Sequence, residues 1–234
     1  MSISYAPTSP AVTSPTSFMS RIRESLECRT RIGTRVTLAK NDCAYSCGDP
    51  DRNIYFLESG SLKTVTFSRN GKECLLRICC PGEVFGEQGS VFGHVRSEST
   101  IAMQDSVMRR MPYSRFLSAI ADEGLVGDFV AYLAYRLAEQ QQAITNLTTV
   151  DSEQRLATTL LDLANKLGNG DPVYTRIEQR LTHEELARMV GTTRSRIGFF
   201  LKTFRAHGLL DISPSSRFII HRPRLTAYLE TRHS

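Results

Sequence analysis

The densest chemistry in this sequence lies in four consecutive residues, Thr193-Arg194-Ser195-Arg196. A guanidinium at the head of a helix can grip a guanine edge through O6 and N7, a contact worth about 1–3 kcal/mol of discrimination between bases. For that, the helix must bury its opposite face. Ile197, Phe200, Leu201 and Phe204 recur at helical spacing and supply that face, so Arg194, Ser195, Arg196 and Phe199 point outward. Just upstream, Thr182 and Glu185 have the spacing of a capping box, and Leu186, Ala187 and Val190 form an inward face. Gly191 breaks that helix and Thr193 caps the next. Two helices joined by such a turn make a helix-turn-helix. Lys202, Thr182, His183 and Arg217 are suited to phosphate contacts, which fix register rather than sequence.

Charge placement agrees. The net charge is +5, yet the segment from Tyr174 to Arg224 alone carries +6, leaving the rest of the 234 residues at −1. A basic end on a neutral body fits a polyanionic partner, because neutralised phosphates release their condensed counterions. Other chemistries find little support. There is no Gly-x-Ser-x-Gly elbow, phosphate-binding loop or His-Glu-x-x-His helix. The five histidines (His94, His183, His207, His221, His233) are scattered and form no ligand set, so neither an enzyme nor a metal site is expected. The six cysteines (Cys28, Cys43, Cys47, Cys74, Cys79, Cys80) lie in the N-terminal third. Without an export signal they read as reduced thiols. Cys74 and Cys79 fall on an expected strand as small core residues, whereas Cys43 and Cys47, in an expected loop, are the reactive candidates.

These groups need elements to hold them. From Thr30 to Met111, short apolar runs (Arg35–Leu38, Ile54–Leu57, Leu62–Phe67, Leu75–Cys79, Val107–Arg110) alternate with Gly, Pro, Asn and Asp. That pattern predicts a β sandwich or barrel of the jelly-roll kind, with a hairpin at Asn70-Gly71. From Asp122 to Thr148 the spacing predicts one long helix whose stripe holds Val126, Phe129, Leu133, Leu137, Ile144 and Leu147. Such a stripe suits self-association; the alternative is packing on the chain's own barrel. Ser152–Leu167 predicts a second amphipathic helix, and Leu209–Ser213 with Arg217–His221 a compact hairpin behind the helix-turn-helix. Residues 1–20, rich in Ser, Thr, Pro and Ala, read as a disordered tail rather than a signal peptide. No apolar run approaches the roughly 18 residues of a spanning helix.

Read together, these residues resemble the cyclic-AMP receptor protein/FNR (Crp/Fnr) superfamily of transcription regulators, from about Arg31 to Ala227. The resemblance rests on Ile54-Tyr55-Phe56-Leu57-Glu58-Ser59-Gly60, Gly71-Lys72-Glu73, Pro81-Gly82-Glu83-Val84-Phe85-Gly86-Glu87, Arg155-Leu156-Ala157, and Leu181–Ala187 leading into Gly191–Arg196. It implies an α+β architecture: a sensor domain at 21–120 built as a cyclic-nucleotide-binding-like jelly roll, a dimerisation helix at 121–148 and a winged helix-turn-helix at 149–234. Members act as homodimers on two-fold symmetric duplex sites in the cytoplasm, and RNA polymerase is an implied partner. Members that bind cyclic AMP use a Gly-Glu pair for the ribose and an Arg-Ser pair for the cyclic phosphate, matched here by Gly86-Glu87 and Arg96-Ser97. Arg136 matches an arginine that reaches the pocket from the dimer helix. Gln140 and Gln141 stand where small hydroxyl residues read the adenine. Glu98 replaces the usual alanine after the Arg-Ser pair. The expected effector is therefore cyclic AMP, then cyclic GMP, with no covalent cofactor. The resemblance leaves two alternatives: a redox, iron–sulfur or unidentified signal in place of the nucleotide, and a regulatory subunit without DNA binding. Cys43-x3-Cys47 and Cys79-Cys80 do not match the FNR cluster spacing. At the DNA-reading helix Ser195 replaces a glutamate and Phe199 an arginine, which predicts a different half-site.

Overall fold

The computed structural model describes residues 18–22, 24, 33–90, 95–215 and 217–232. Cys28, His94, His233 and the tail up to residue 17 lie outside them. Residues 18–20, expected in that tail, are helical instead, and Phe18 is buried against Phe129 and Tyr132. Its ring finds enough apolar surface to offset the entropy that a free tail would keep.

Eight strands form the first half: β1 (Thr34–Leu38), β2 (Cys43–Tyr45), β3 (Asn53–Ser59), β4 (Leu62–Phe67), β5 (Glu73–Cys79), β6 (Val84–Phe85), β7 (Ser99–Ala102) and β8 (Ser106–Pro112). They make two antiparallel four-stranded sheets, ordered β1-β8-β3-β6 and β2-β7-β4-β5, the two-sheet jelly-roll architecture. Leu57, Leu62, Phe85, Ala102 and Met108 fill the space between them. The β3–β4 turn depends on Gly60. Its φ is +93°, and an added Cβ would lie 2.2 Å from Ser106 Oγ, so a side chain is excluded on both counts. The Asn70-Gly71 turn joins β4 to β5 as the sequence predicts, with Phe67 opposite Glu73. Strands β2, β6 and β7 carry no sequence signal, because two to four residues are too few to establish a period.

A further helix, α1 (Tyr113–Asp122), precedes the expected long one, which starts a turn later than Asp122 as α2 (Val126–Thr149); the two are separated at Gly124. Gly124 has φ +65° and ends the first helix. The stripe on α2 also divides. Phe129 and Tyr132 pack on the barrel with Ile54, Phe56, Phe116 and Ile120, so Phe129 does not belong to an outward stripe. Val126, Val130, Leu137, Ile144 and Leu147 remain exposed, Ile144 by 62%.

The second half opens with α3 (Ser152–Leu167), capped by the Asp151 carboxylate, which accepts from the Glu153 and Gln154 amides. Strand β9 (Gly168–Gly170) and β10 (Tyr174–Ile177) follow, then α4 (His183–Val190), α5 (Arg194–Ala206), β11 (Leu210–Ile212), β12 (Phe218–His221) and α6 (Arg222–Glu230). The wing is thus larger than the expected hairpin: β11 and β12 continue into β10 and β9. The two halves are packed together. Val65, Leu75, Ile78 and Met103 of the barrel share one apolar cluster with Leu156, Leu186, Ile197 and Phe204. Lys63 meets Glu185 at 3.3 Å, Arg188 meets Glu73 at 2.8 Å, and Ser61 Oγ donates to Gln179 Oε1 at 2.7 Å. No helix among the described residues is long and apolar enough to cross a membrane.

Candidate nucleic-acid interface and barrel site

The local rules that shape α4 and α5 hold as read from the sequence. Thr182 Oγ1 accepts from the Glu185 amide at 3.1 Å, and the Glu185 carboxylate accepts from the Thr182 amide at 2.9 Å, closing the capping box. Gly191 adopts φ +69° at the α4 C-cap. Thr193 Oγ1 accepts from the Arg196 amide at 3.3 Å. Ile197, Phe200, Leu201 and Phe204 are buried, which aims the other face of α5 into solvent. Arg194, Ser195, Arg196 and Lys202 are exposed there, and Phe199 is 66% exposed.

Ion pairing separates these cations from their neighbours. Arg188, Arg205 and Arg217 are paired with Glu73, Asp211 and Glu178. Among the described residues no carboxylate pairs with Arg194, Arg196 or Lys202; Arg196 only leans over the Phe200 ring at 5.6 Å. Five of the predicted contact residues thus share one open helix face (Arg194, Ser195, Arg196, Phe199, Lys202). Thr193 is exposed at its N-cap, Thr182 and the half-buried His183 sit at the head of α4, and Arg217 precedes β12. The Thr182 hydroxyl and amide are both used in the capping box, so the amides of the next two residues, His183 and Glu184, are what this helix head offers an anion.

The barrel is a different matter. Arg96 is only 2% exposed. Its Nε and Nη2 donate to Asp51 Oδ2 at 3.2 and 2.8 Å, Nη1 donates to the Gly86 carbonyl at 2.5 Å, and Nη2 also reaches the Asn53 carbonyl. The guanidinium lies 4.0 Å above the Tyr45 ring. Gly86 and Gly89 make room for it: a Cβ on Gly89 would stand 2.4 Å from Arg96 Nη1. Burial works to raise the Asp51 carboxyl, but hydrogen bonds from Tyr55 and Arg96 outweigh it and hold the group below its ordinary value. Glu87 opens a short 3₁₀ turn and lies 3.9 Å from Nη1 of Arg77, a half-buried arginine on β5. Glu98 points inward and accepts from Tyr45 Oη at 2.9 Å. Burial, with Glu87 nearby, raises the Glu98 carboxyl above its ordinary value.

Of the seven predicted ligand residues, the fold gathers Gly86, Glu87 and Arg96. Ser97 faces outward. Arg136 pairs with Glu139 and lines a cavity of about 520 Å³ with Tyr132, Glu83 and Lys166. Gln140 and Gln141 are exposed. Asp51, Tyr45 and Arg77 complete the barrel's polar interior and were not singled out from the sequence. Only the neighbouring Gly48-Asp49-Pro50 turn carries a signal, that of punctuation between strands, and it stops one residue short of Asp51. Cys79 and Cys80 are buried; burial raises both thiols, Cys80 to about 12, so neither supplies thiolate readily. Cys43, placed by the sequence in a loop, opens β2, and Cys74, expected in the core, is exposed because it faces outward on β5.

Val126, Val130, Leu133, Leu137, Gln140, Ile144 and Leu147 follow one another in alternating steps of four and three along α2. That is a heptad seam, with Val130, Leu137 and Ile144 at one core position and Val126, Leu133, Gln140 and Leu147 at the other.

Comparison with known proteins meets this geometry at both ends. The family model for the cyclic nucleotide-binding domain matches residues 35–123, and that for the Crp-like helix-turn-helix domain matches residues 154–228. The chain is similar to the CRP-like cAMP-activated global transcriptional regulator of Mycobacterium tuberculosis, 27% identical over 191 residues that cover 81% of this chain and 85% of that protein. It is similar to the cAMP-activated global transcriptional regulator CRP of Pasteurella multocida, 28% identical over 166 residues that cover 70% and 79%. Among solved structures, FixK2 from Bradyrhizobium japonicum shares the fold at a TM-score of 0.73, with 19% identity over 84% of this chain and 96% of that one.

Proposed function

The chain belongs to the Crp/Fnr superfamily of DNA-binding transcription regulators, and on that premise we propose that it works as a parallel homodimer on two-fold symmetric duplex sites, one α5 per half-site. The observation that carries this is the open row of cations on α5, without carboxylate partners among the described residues while neighbouring arginines are paired. Arg194 and Arg196 read base edges, Phe199 meets thymine methyls, and Lys202, His183 and Arg217 hold phosphates. The α2 seam, with β-branched Val130 and Ile144 at a and Leu133 and Leu147 at d as parallel dimers prefer, joins the two copies. The chain performs no catalysis; it acts in the cytoplasm, where DNA and RNA polymerase are its partners.

A cyclic nucleotide in the barrel is the effector that the Gly86-Glu87 and Arg96 arrangement supports, cyclic AMP first and cyclic GMP second. One observation favours a second reading, an unidentified signal in its place. Two of the interior contacts are already made, Arg96 with Asp51 and Tyr45 with Glu98, and a ligand that takes Arg96 must displace the Asp51 carboxylate.

Fluorescence anisotropy with duplexes enriched by the protein from a random pool tests the regulator reading. We expect tight binding that weakens steeply between low and moderate salt. Salt-insensitive or absent binding overturns it. Calorimetry with cyclic AMP and cyclic GMP, with Arg96→Ala as control, decides the effector.

A further inference from the structure

Gly198 sits inside α5, a place where glycine is costly because it sacrifices backbone entropy and contributes no packing. Glycine persists in a helix when something needs the missing Cβ. The fold does not need it here. Gly198 lacks a left-handed φ, and an added Cβ would meet only the His183 ring, at 3.6 and 3.9 Å, which is ordinary contact. By contrast Gly60, Gly89 and Gly168 would place a Cβ 2.2, 2.4 and 2.0 Å from their nearest neighbours. The demand on Gly198 therefore comes from outside the chain.

Its surroundings say what approaches. On a helix, residues four apart lie in one row, so Gly198 stands between Arg194 and Lys202, both exposed and neither paired among the described residues. His183, at the start of α4, borders the same spot. Lys202, His183 and a helix head with backbone amides around a bare patch of backbone match a phosphodiester strand, past which Arg194 reaches on to the base edges. Phe199, one residue on, turns away from this row towards the centre of the exposed face. We propose that the sugar–phosphate backbone of the bound duplex passes directly over Gly198, between Arg194 and Lys202, so that Gly198 sets how deeply α5 seats. This rests on the DNA-binding reading above.

The test is Gly198→Ala in the full chain, measured by thermal melting and by anisotropy against an enriched duplex and a scrambled one at fixed salt. Alanine is the better helix former, so the melting midpoint rises by about 2–4 °C. Affinity falls about ten-fold or more for both duplexes alike, because a backbone contact carries no sequence information. Phe199→Ala, run in parallel, weakens only the enriched duplex. A lowered midpoint shows that the fold itself needs the glycine, and unchanged affinity shows that nothing approaches it; either overturns the proposal. So does a loss confined to the enriched duplex, which places a base rather than the backbone there. Should the wild-type chain enrich no duplex at all, the regulator reading falls, and this inference falls with it.

Discussion

Glu98 and Asp51 are both barrel carboxyls near Arg96, yet their surroundings push them in opposite directions. Asp51 is hydrogen-bonded by Tyr55 and Arg96, and its value is lowered; Glu98 is dominated by burial, and its value is raised. Folding therefore favours the protonated form of Glu98. Below the unfolded-state value both states hold the proton and nothing is lost. As pH rises past that value, the unfolded chain sheds its proton first and is favoured, so Glu98 costs stability towards neutral pH. Glu98→Gln, which keeps the acceptor for Tyr45, should raise the melting midpoint at about pH 7 and lose that advantage near about pH 4. A midpoint difference that does not change with pH would contradict the assignment. Asp51→Asn should show the reverse, a loss at neutral pH that fades on acidification. Little of this was legible beforehand. The sequence marked Glu98 as an intruder beside Arg96, but Glu98 sits in the bend just before β7, where no period says whether a side chain faces in or out. Asp51 meets Arg96 across 45 residues, a contact that no local pattern encodes.

Among the elements, α2 shows most clearly what periodicity resolves and what it leaves open. An apolar helix position recurs at steps of three, four and seven, so Phe129 and Leu137 look alike in sequence, although Phe129 packs on the barrel and Leu137 stays exposed. Burial by tertiary neighbours decides between them. Helices α4 and α5, by contrast, were legible almost to the residue, because capping box, glycine C-cap and N-cap threonine are local signals. Gln140, exposed on α2, is the one polar residue in the proposed seam. A polar core residue trades stability for a fixed register. Gln140→Leu should tighten self-association about ten-fold by analytical ultracentrifugation, since it replaces a desolvated amide with apolar contact. Weaker association would show that α2 is not the surface where copies meet. Loss of the α4 cap in Thr182→Ala should cost about 1 kcal/mol of stability by denaturant melting.

At the scale of the whole chain, the barrel and the helix-turn-helix are held by one apolar cluster edged with two ion pairs, Lys63–Glu185 and Arg188–Glu73. Partly exposed pairs of this kind contribute up to about 1 kcal/mol each, so the apolar contact supplies most of the docking and the charges its orientation. Reversing Lys63 and Arg188 to Glu places like charges together and should speed proteolysis at the Val150–Asp151 link several-fold, with only a modest fall in melting temperature. An unchanged cleavage rate would mean that the charges play no part. The account as a whole depends on α5 meeting duplex DNA through its open face. The most direct measurement is the affinity of the Arg194→Glu/Arg196→Glu double variant for the enriched duplex across a salt series. We predict a loss of about a hundred-fold or more and a shallower salt dependence, with the melting temperature unchanged. Parental affinity and parental salt slope in that variant would contradict the account.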